Sequence, residues 1–195
     1  MPKNFVPQDQ YFKKAKELGY RARSAFKLEE IQKKFRLLKP GSDVLDLGAA
    51  PGSWLQYASK IVGQHAKLVG LDLQPIESLG KNIKTFTVDI FSPEAEELIK
   101  KYHPETFPII LSDLAPATSG QKELDHLKSV DLNQQVVDLA EKFLSPRGTM
   151  VLKIFQGGEL NDFVKELKNK FRKVDIYKPK ASRSRSFEIY IIAVR

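Results

Sequence analysis

The sequence contains no cysteine. Disulfides, thiolate zinc sites and a cysteine nucleophile are therefore excluded, and a reducing compartment is expected, with the cytoplasm as the default. No run approaches the roughly 18 apolar residues that a membrane helix needs. The opening MPKNFVPQDQYFKK also lacks the charged-then-apolar order of a signal peptide, so no membrane association is expected. Nothing repeats internally, and no tract rich in proline, glycine or serine separates two folding units. At 195 residues with 42% hydrophobic content, the chain suits one well-buried core. A single domain follows, and with no further extension a monomer is expected. The three histidines, His65, His103 and His126, lack the spacing of metal ligands and read as surface or loop residues.

Charge is plentiful but unevenly placed. Residues 1–39 carry 11 Lys/Arg against 4 Asp/Glu, residues 170–195 carry 8 against 2, and residues 40–169 carry 13 against 18. A mildly acidic body bracketed by two basic ends points to a polyanionic partner, because concentrated Lys and Arg release counterions from phosphates.

Short Val/Ile/Leu runs predict strands over 43–47, 67–73, 83–88, 109–112, 149–155, 173–177 and 187–194. Helical periodicity predicts helices over 53–62, 93–101, 127–144 and 160–170 between them. Such alternation implies an α/β fold whose mainly parallel sheet is covered by helices on both faces. The linker KPKASRSRS between the last two strands is too short for a helical crossover, so these strands should pair antiparallel. Ahead of the first strand, 24–37 reads as an amphipathic helix with Ala25, Leu28, Ile31 and Phe35 on one face, Ser24 as its cap and Lys27 in its first turn.

The segment VLDLGAAPGSW follows the first strand and opens a helix, the place where α/β sheets bind ligands. Gly48 and Gly52 let the backbone approach a ligand closely, Pro51 stiffens the turn and Ser53 can cap the helix. The loop does not match the G-x-G-x-x-G of a dinucleotide site, which disfavours a nicotinamide enzyme and favours a nucleoside without a pyrophosphate. Asp72, at the end of the second strand, can accept bonds from both ribose hydroxyls, and Asp89, at the end of the third, can meet the base edge. With Asp46 in register, these acids point to S-adenosylmethionine. Trp54 opens the following helix and either packs against the adenosine or belongs to the core.

Five ordered segments, YRARSAFKLEEI, LDLGAAPGSW, LSDLAP, VLKIFQG and KPKASRSRSFEIY, span residues 20 to 190. Together they resemble the FtsJ/RrmJ family of S-adenosylmethionine-dependent ribose 2′-O-methyltransferases. The resemblance implies a Rossmann-like class I methyltransferase with a seven-stranded, mostly parallel sheet whose last strand is antiparallel. Residues 1–39 would form a basic helical extension carrying Lys27, and residues 40–195 the catalytic core. The family's catalytic Lys-Asp-Lys-Glu tetrad falls on Lys27, Asp113, Lys153 and Glu188, and Asp113 also counts among its cofactor contacts. The implied substrate is a uridine ribose of large-subunit (23S) ribosomal RNA; a transfer-RNA anticodon loop, or a non-catalytic role in ribosome assembly, is the alternative. The family more often has glycine at position 53 and asparagine at 117, where this chain has Ser53 and Ala117.

The residue types suit the chemistry. A ribose hydroxyl must lose its proton as its oxygen attacks the sulfonium methyl, and a general base contributes about 10²- to 10⁴-fold to such a step. Lys153 is the expected base, with no metal required. Lys27 and the sulfonium would favour its neutral form, whereas Asp113 and Glu188 would oppose it and are assigned to orientation. Lys13, Lys14, Lys16, Arg21 and Arg23 precede Lys27, while Lys178, Lys180, Arg183 and Arg185 precede Glu188. The expected RNA path therefore crosses the active site.

Overall fold

The computed structural model describes residues 10–183 and 185–195. Residues 1–9, which the reading of the chain's start includes, and Ser184 lie outside the described residues. Helix α1 (Gln10–Glu17) and helix α2 (Ala25–Phe35) precede β1 (Val44–Leu47), α3 (Ser53–Val62), β2 (Leu68–Asp72) and β3 (Ile83–Thr87). Then come α4 (Pro93–Tyr102), β4 (Phe107–Ser112), α5 (Lys122–Phe143), β5 (Leu144–Phe155), α6 (Leu160–Lys170), β6 (Lys173–Tyr177) and β7 (Glu188–Val194). The seven strands form one sheet of order β3-β2-β1-β4-β5-β7-β6. All pairings are parallel except those of β7, which runs antiparallel to both β5 and β6. The α/β class and the antiparallel closing pair are as the alternation and the short linker predict.

Residue type explains the layering. β1 and the second half of β5 are buried throughout and are mainly apolar, interrupted by Asp46 and Lys153, the mark of strands covered on both faces. The edge strands β3 and β6 are only half-buried. On one face, Leu45, Leu47, Ile110, Leu152 and Ile154 meet Val136, Val137 and Ala140 of α5 and Val164 and Leu167 of α6. On the other, Val44, Val151 and Ile192 meet Leu28 and Ile31 of α2 and Trp54, Leu55 and Ala58 of α3. Helix α2 thus belongs to the main core, which fixes Lys27 relative to the sheet. A smaller cluster of Ala15, Phe26 and Ala181 seats α1 against α2 and the turn before β7.

Several local expectations are corrected. Ser24 occupies the N-cap position of α2 but makes no capping bond, and its hydroxyl lies 2.7 Å from that of Ser53, which is itself the first residue of α3 rather than its cap. Ser53, where the family favours glycine, therefore ties α3 to α2. His103 and His126 are buried, not surface residues. His103 stacks on Phe107 at 4.1 Å, with Nε2 at 2.8 Å from Asp43 Oδ2. Among the described residues no helix is long and apolar enough to cross a membrane.

Candidate active site

Sheet order reverses between β1 and β4, so the crevice at their carboxyl ends is where a ligand enters. β1 gives way to Gly48 at φ 77° and Gly52 at φ 100°, values in the left-handed region that glycine tolerates. A Cβ at Gly48 would also fall 2.1 Å from Leu114 Cδ2 and displace that side chain, so the contact adds to the preference for glycine that the backbone sets. Asp72 accepts from the Ala50 N–H at 2.9 Å through Oδ2 and from the Gln74 N–H at 2.8 Å through Oδ1, fixing the loop to the end of β2. Each oxygen keeps lone-pair capacity for a further donor. Asp89 lies two residues beyond β3, exposed, with Oδ1 accepting from Phe91 N–H at 3.0 Å.

Two of the singled-out side chains are engaged within the protein. The Trp54 indole is in the core: Nε1–H donates to Ser24 O at 2.9 Å, and its ring lies 5.8 Å from that of Tyr190, so only its backbone amide remains for a cofactor. Arg21 donates from Nη1 to Pro51 O and Glu77 O, both at 3.0 Å, and from Nη2 to Ser78 O at 3.3 Å. It braces the Gly48–Ser53 loop from outside rather than standing free for RNA.

Asp46 sits beneath this loop at 1% exposure, and neither carboxylate oxygen has a hydrogen-bond partner among the described residues. Burial, with Asp113 and Asp72 nearby, pushes its carboxyl well above the usual range. An acid with a raised pKa in the folded state loses stability as pH rises from its unfolded value of about 3.9. Asp46→Asn is therefore expected to melt higher than the parent at pH 7, by about 2–4 °C for each kcal/mol recovered at this chain length. The difference should vanish near about pH 4, as thermal melts at the two pH values would register.

The four tetrad residues converge from four elements. Lys27 Nζ, on α2, lies 2.6 Å from Glu188 Oε1 at the start of β7, with side-chain exposures of 11% and 12%. Lys153 Nζ, on β5, lies 3.1 Å from Asp113 Oδ1, just past β4, and donates to Asp113 O at 2.5 Å. The in-register pairs Lys153↔Tyr190 and Phe155↔Glu188 bring Glu188 beside the end of β5. Two lysine–carboxylate pairs thus stand at the mouth of the cofactor crevice. A fifth side chain joins them. Tyr190, fully buried on β7, donates its hydroxyl to Asp113 Oδ1 at 2.6 Å, and Lys27 Nζ lies 5.8 Å from the centre of its ring.

A model of the FtsJ-like methyltransferases matches residues 20–195. The chain belongs to this family. It is 45% identical to the ribosomal RNA large subunit methyltransferase E of Anaeromyxobacter sp. (strain Fw109-5) across 98% of this chain and 70% of that one. The protein of the same name from Bdellovibrio bacteriovorus is 40% identical across 97% of both chains. A solved ribosomal RNA methyltransferase from Plasmodium falciparum superposes with a TM-score of 0.80 at 29% identity, covering 90% of this chain and 98% of that one.

Within this FtsJ-like site, Tyr190 is the residue that sequence reasoning missed; its signal is the alternation of FEIYII, which puts it on the same face of β7 as Glu188. Burial pushes the Tyr190 hydroxyl well above its ordinary pKa, reinforced by Asp113 and Glu188, so it remains a donor. Burial alone would raise Asp113, but Lys153, Lys27 and the Tyr190 hydroxyl outweigh it and hold the carboxyl below its usual value. A depressed folded pKa gives stability that is present above the unfolded value and lost as pH falls through the folded one. Tyr190→Phe removes one of the lowering contacts. Its acid unfolding midpoint is expected to move to higher pH, which melts collected across the acid range would detect.

Proposed function

We propose that this methyltransferase uses S-adenosylmethionine to methylate a ribose 2′-hydroxyl of RNA, a uridine of large-subunit ribosomal RNA, working as a cytoplasmic monomer with one methyltransferase domain. The convergence of the two lysine–carboxylate pairs beside the cofactor crevice carries this reading. The crevice suits the cofactor: the loop's glycines hold positive φ, Asp72 retains acceptor capacity for ribose hydroxyls, and Asp113 offers a carboxylate to an ammonium group. Bound there, the sulfonium supplies an electrophilic methyl that needs no further activation.

The protein's own task is alignment and removal of a proton. Asp113 Oδ1 divides itself between Lys153 at 3.1 Å and the Tyr190 hydroxyl at 2.6 Å, whereas Glu188 holds Lys27 at 2.6 Å. Lys153, which Asp113 holds through both its carboxylate at 3.1 Å and its backbone carbonyl at 2.5 Å, is assigned as the proton acceptor, and Lys27, held by Glu188, is assigned to the developing oxyanion. As the O2′–H bond breaks, its proton passes to Lys153 Nζ. With S-adenosylmethionine bound, the O2′–CH₃ bond would form as the S–CH₃ bond breaks, its electron pair leaving with the sulfur. Holding these atoms at about 3–3.5 Å supplies much of the rate.

RNA is proposed to lie across the joined basic ends. Glu30 of α2 accepts from Lys180 N–H at 2.6 Å and Ala181 N–H at 2.8 Å, and Arg23 donates to Ala181 O, clamping the turn before β7 onto α2. Lys13, Lys14 and Lys16 of α1 and Lys178, Lys180, Arg183 and Arg185 of the turn are exposed, so cations from the two ends of the sequence can reach one phosphate backbone. Incubation with labelled S-adenosylmethionine and ribosomal subunits from cells lacking the modification tests the substrate. Label in large-subunit RNA is expected. Label confined to transfer RNA would overturn the ribosomal assignment and keep the chemistry.

A further inference from the structure

β4 stops at Ser112, paired with Leu152, but β5 continues through Lys153 to Phe155 with only β7 beside it. Were β4 to continue, it would occupy the gap where Lys153 and Asp113 meet. Stopping it leaves one edge of β5 without a strand, and peptide groups two residues apart face the same edge, so those of Lys153 and Phe155 are the ones affected. A buried peptide group left unpaired is destabilising, so each needs another partner.

Side chains of α5 take the place of the missing strand. Asn133 Nδ2 donates to Lys153 O at 2.8 Å and to Ser129 O at 2.7 Å. Two carbonyl acceptors fix which end of that amide faces β5. Ser129 Oγ accepts from the Phe155 N–H at 3.2 Å, and His126 Nδ1–H donates to Phe155 O at 2.7 Å. His126 Nε2 lies 3.1 Å from the Glu159 N and 3.0 Å from its Oε2, holding the turn after β5 as well. All three residues are buried to 1% exposure or less. Their spacing of three and four aligns them on one helix face, where the neighbouring turns of α5 present Val136, Val137 and Ala140 to the core. The match extends to Gly157, where a Cβ would fall 2.2 Å from the His126 ring, so the glycine of VLKIFQG is required by the histidine's position.

We propose that His126, Ser129 and Asn133 are positioning residues for the methyl transfer: they replace β4 as the edge partner of β5 and so set where Lys153 Nζ meets the ribose hydroxyl. The inference rests on Lys153 being the proton acceptor. Lys153 reaches the site on four methylenes from a backbone that these bonds hold, and a misplacement of about 1 Å can cost a hundredfold in rate.

Single-turnover rates at saturating S-adenosylmethionine and RNA test this, with Ser129→Ala and Asn133→Leu each made in the parent and in Lys153→Ala. In the parent, each substitution is expected to slow transfer about tenfold or more without raising KM for either substrate. Ser129→Thr, which keeps the hydroxyl, should retain the rate. In Lys153→Ala the same substitutions should change the residual rate by less than about twofold, because residues acting through one lysine are not additive with its loss. Ser129→Ala removes one oxygen and carries the test even if Asn133→Leu fails to fold. Equal losses in both backgrounds, or a parent rate left intact, would overturn the inference alone. An undiminished rate in Lys153→Ala would overturn the assignment of the base together with it.

Discussion

Lys153→Ala is expected to slow methyl transfer by about 10²- to 10⁴-fold, the usual contribution of a general base, while leaving cofactor affinity nearly unchanged. Lys153→Arg is the sharper form of the test. Arginine keeps the positive charge and can still pair with Asp113, but it does not give up its proton at any pH relevant to proteins. If Lys153 served only to hold a charge beside the reacting oxygen, the arginine variant would retain much of the rate. If it accepts the ribose proton, arginine should be as inactive as alanine. The alanine variant leaves the Asp113 carboxylate without the cation 3.1 Å away, so a melting curve is needed to show that lost rate is not lost fold. An arginine variant as fast as the parent would remove Lys153 from the proton-accepting role.

The second large effect concerns binding. Asp72→Ala is expected to weaken S-adenosylmethionine binding by about 10²-fold or more, because hydrogen bonds to a charged acceptor are worth about 1.5–3 kcal/mol each. Both its oxygens already hold backbone amides of the adjoining loops, at 2.9 Å from Ala50 and 2.8 Å from Gln74. The substitution therefore removes the proposed ribose acceptor and also loosens the loop that shapes the crevice. Asp72→Asn separates the two effects: its remaining oxygen can hold one amide, while its NH₂ offers a donor where a ribose hydroxyl needs an acceptor. Calorimetry with the cofactor alone would resolve them. Parent-like affinity in both variants would place the ribose elsewhere.

The sequence made the sheet legible because strands buried on both faces are nearly uninterrupted aliphatic runs, as in VLDL and LVGLD. Element ends were harder. β5 begins at Leu144 rather than 149, since Pro146 and Gly148 read as breakers, whereas the sheet absorbs them through a register shift opposite Phe107–Ile109 and a left-handed Arg147 at φ 62°. Helix α1 carries too few apolar residues to be recognised from periodicity; it owes its place to Ala15, which packs with Phe26 and Ala181 across distant parts of the chain. The tetrad was visible through the resemblance, and the structure brings its members together in pairs. Arg21 and His126 were misread, and Trp54 was left open between core and ligand, for one shared reason. Polar atoms on large side chains suggest solvent or ligand, but here they satisfy backbone groups: the indole on Ser24 O, the guanidinium on Pro51 and Glu77, and the His126 imidazole on Phe155 O. No local pattern announces such a partner, because the carbonyl it serves is brought near only by tertiary packing.

The central claim is that the methyl group goes to a ribose oxygen, with the tetrad removing its proton. Its most direct test is to label RNA with the purified protein and methyl-labelled S-adenosylmethionine, then hydrolyse it in alkali and, separately, digest it to nucleosides for mass analysis. Label is expected in alkali-resistant dinucleotides and in a 2′-O-methylated nucleoside, and is expected to be absent when Lys153→Ala replaces the parent. Label on a nucleobase, with alkali-sensitive linkages throughout, would contradict it.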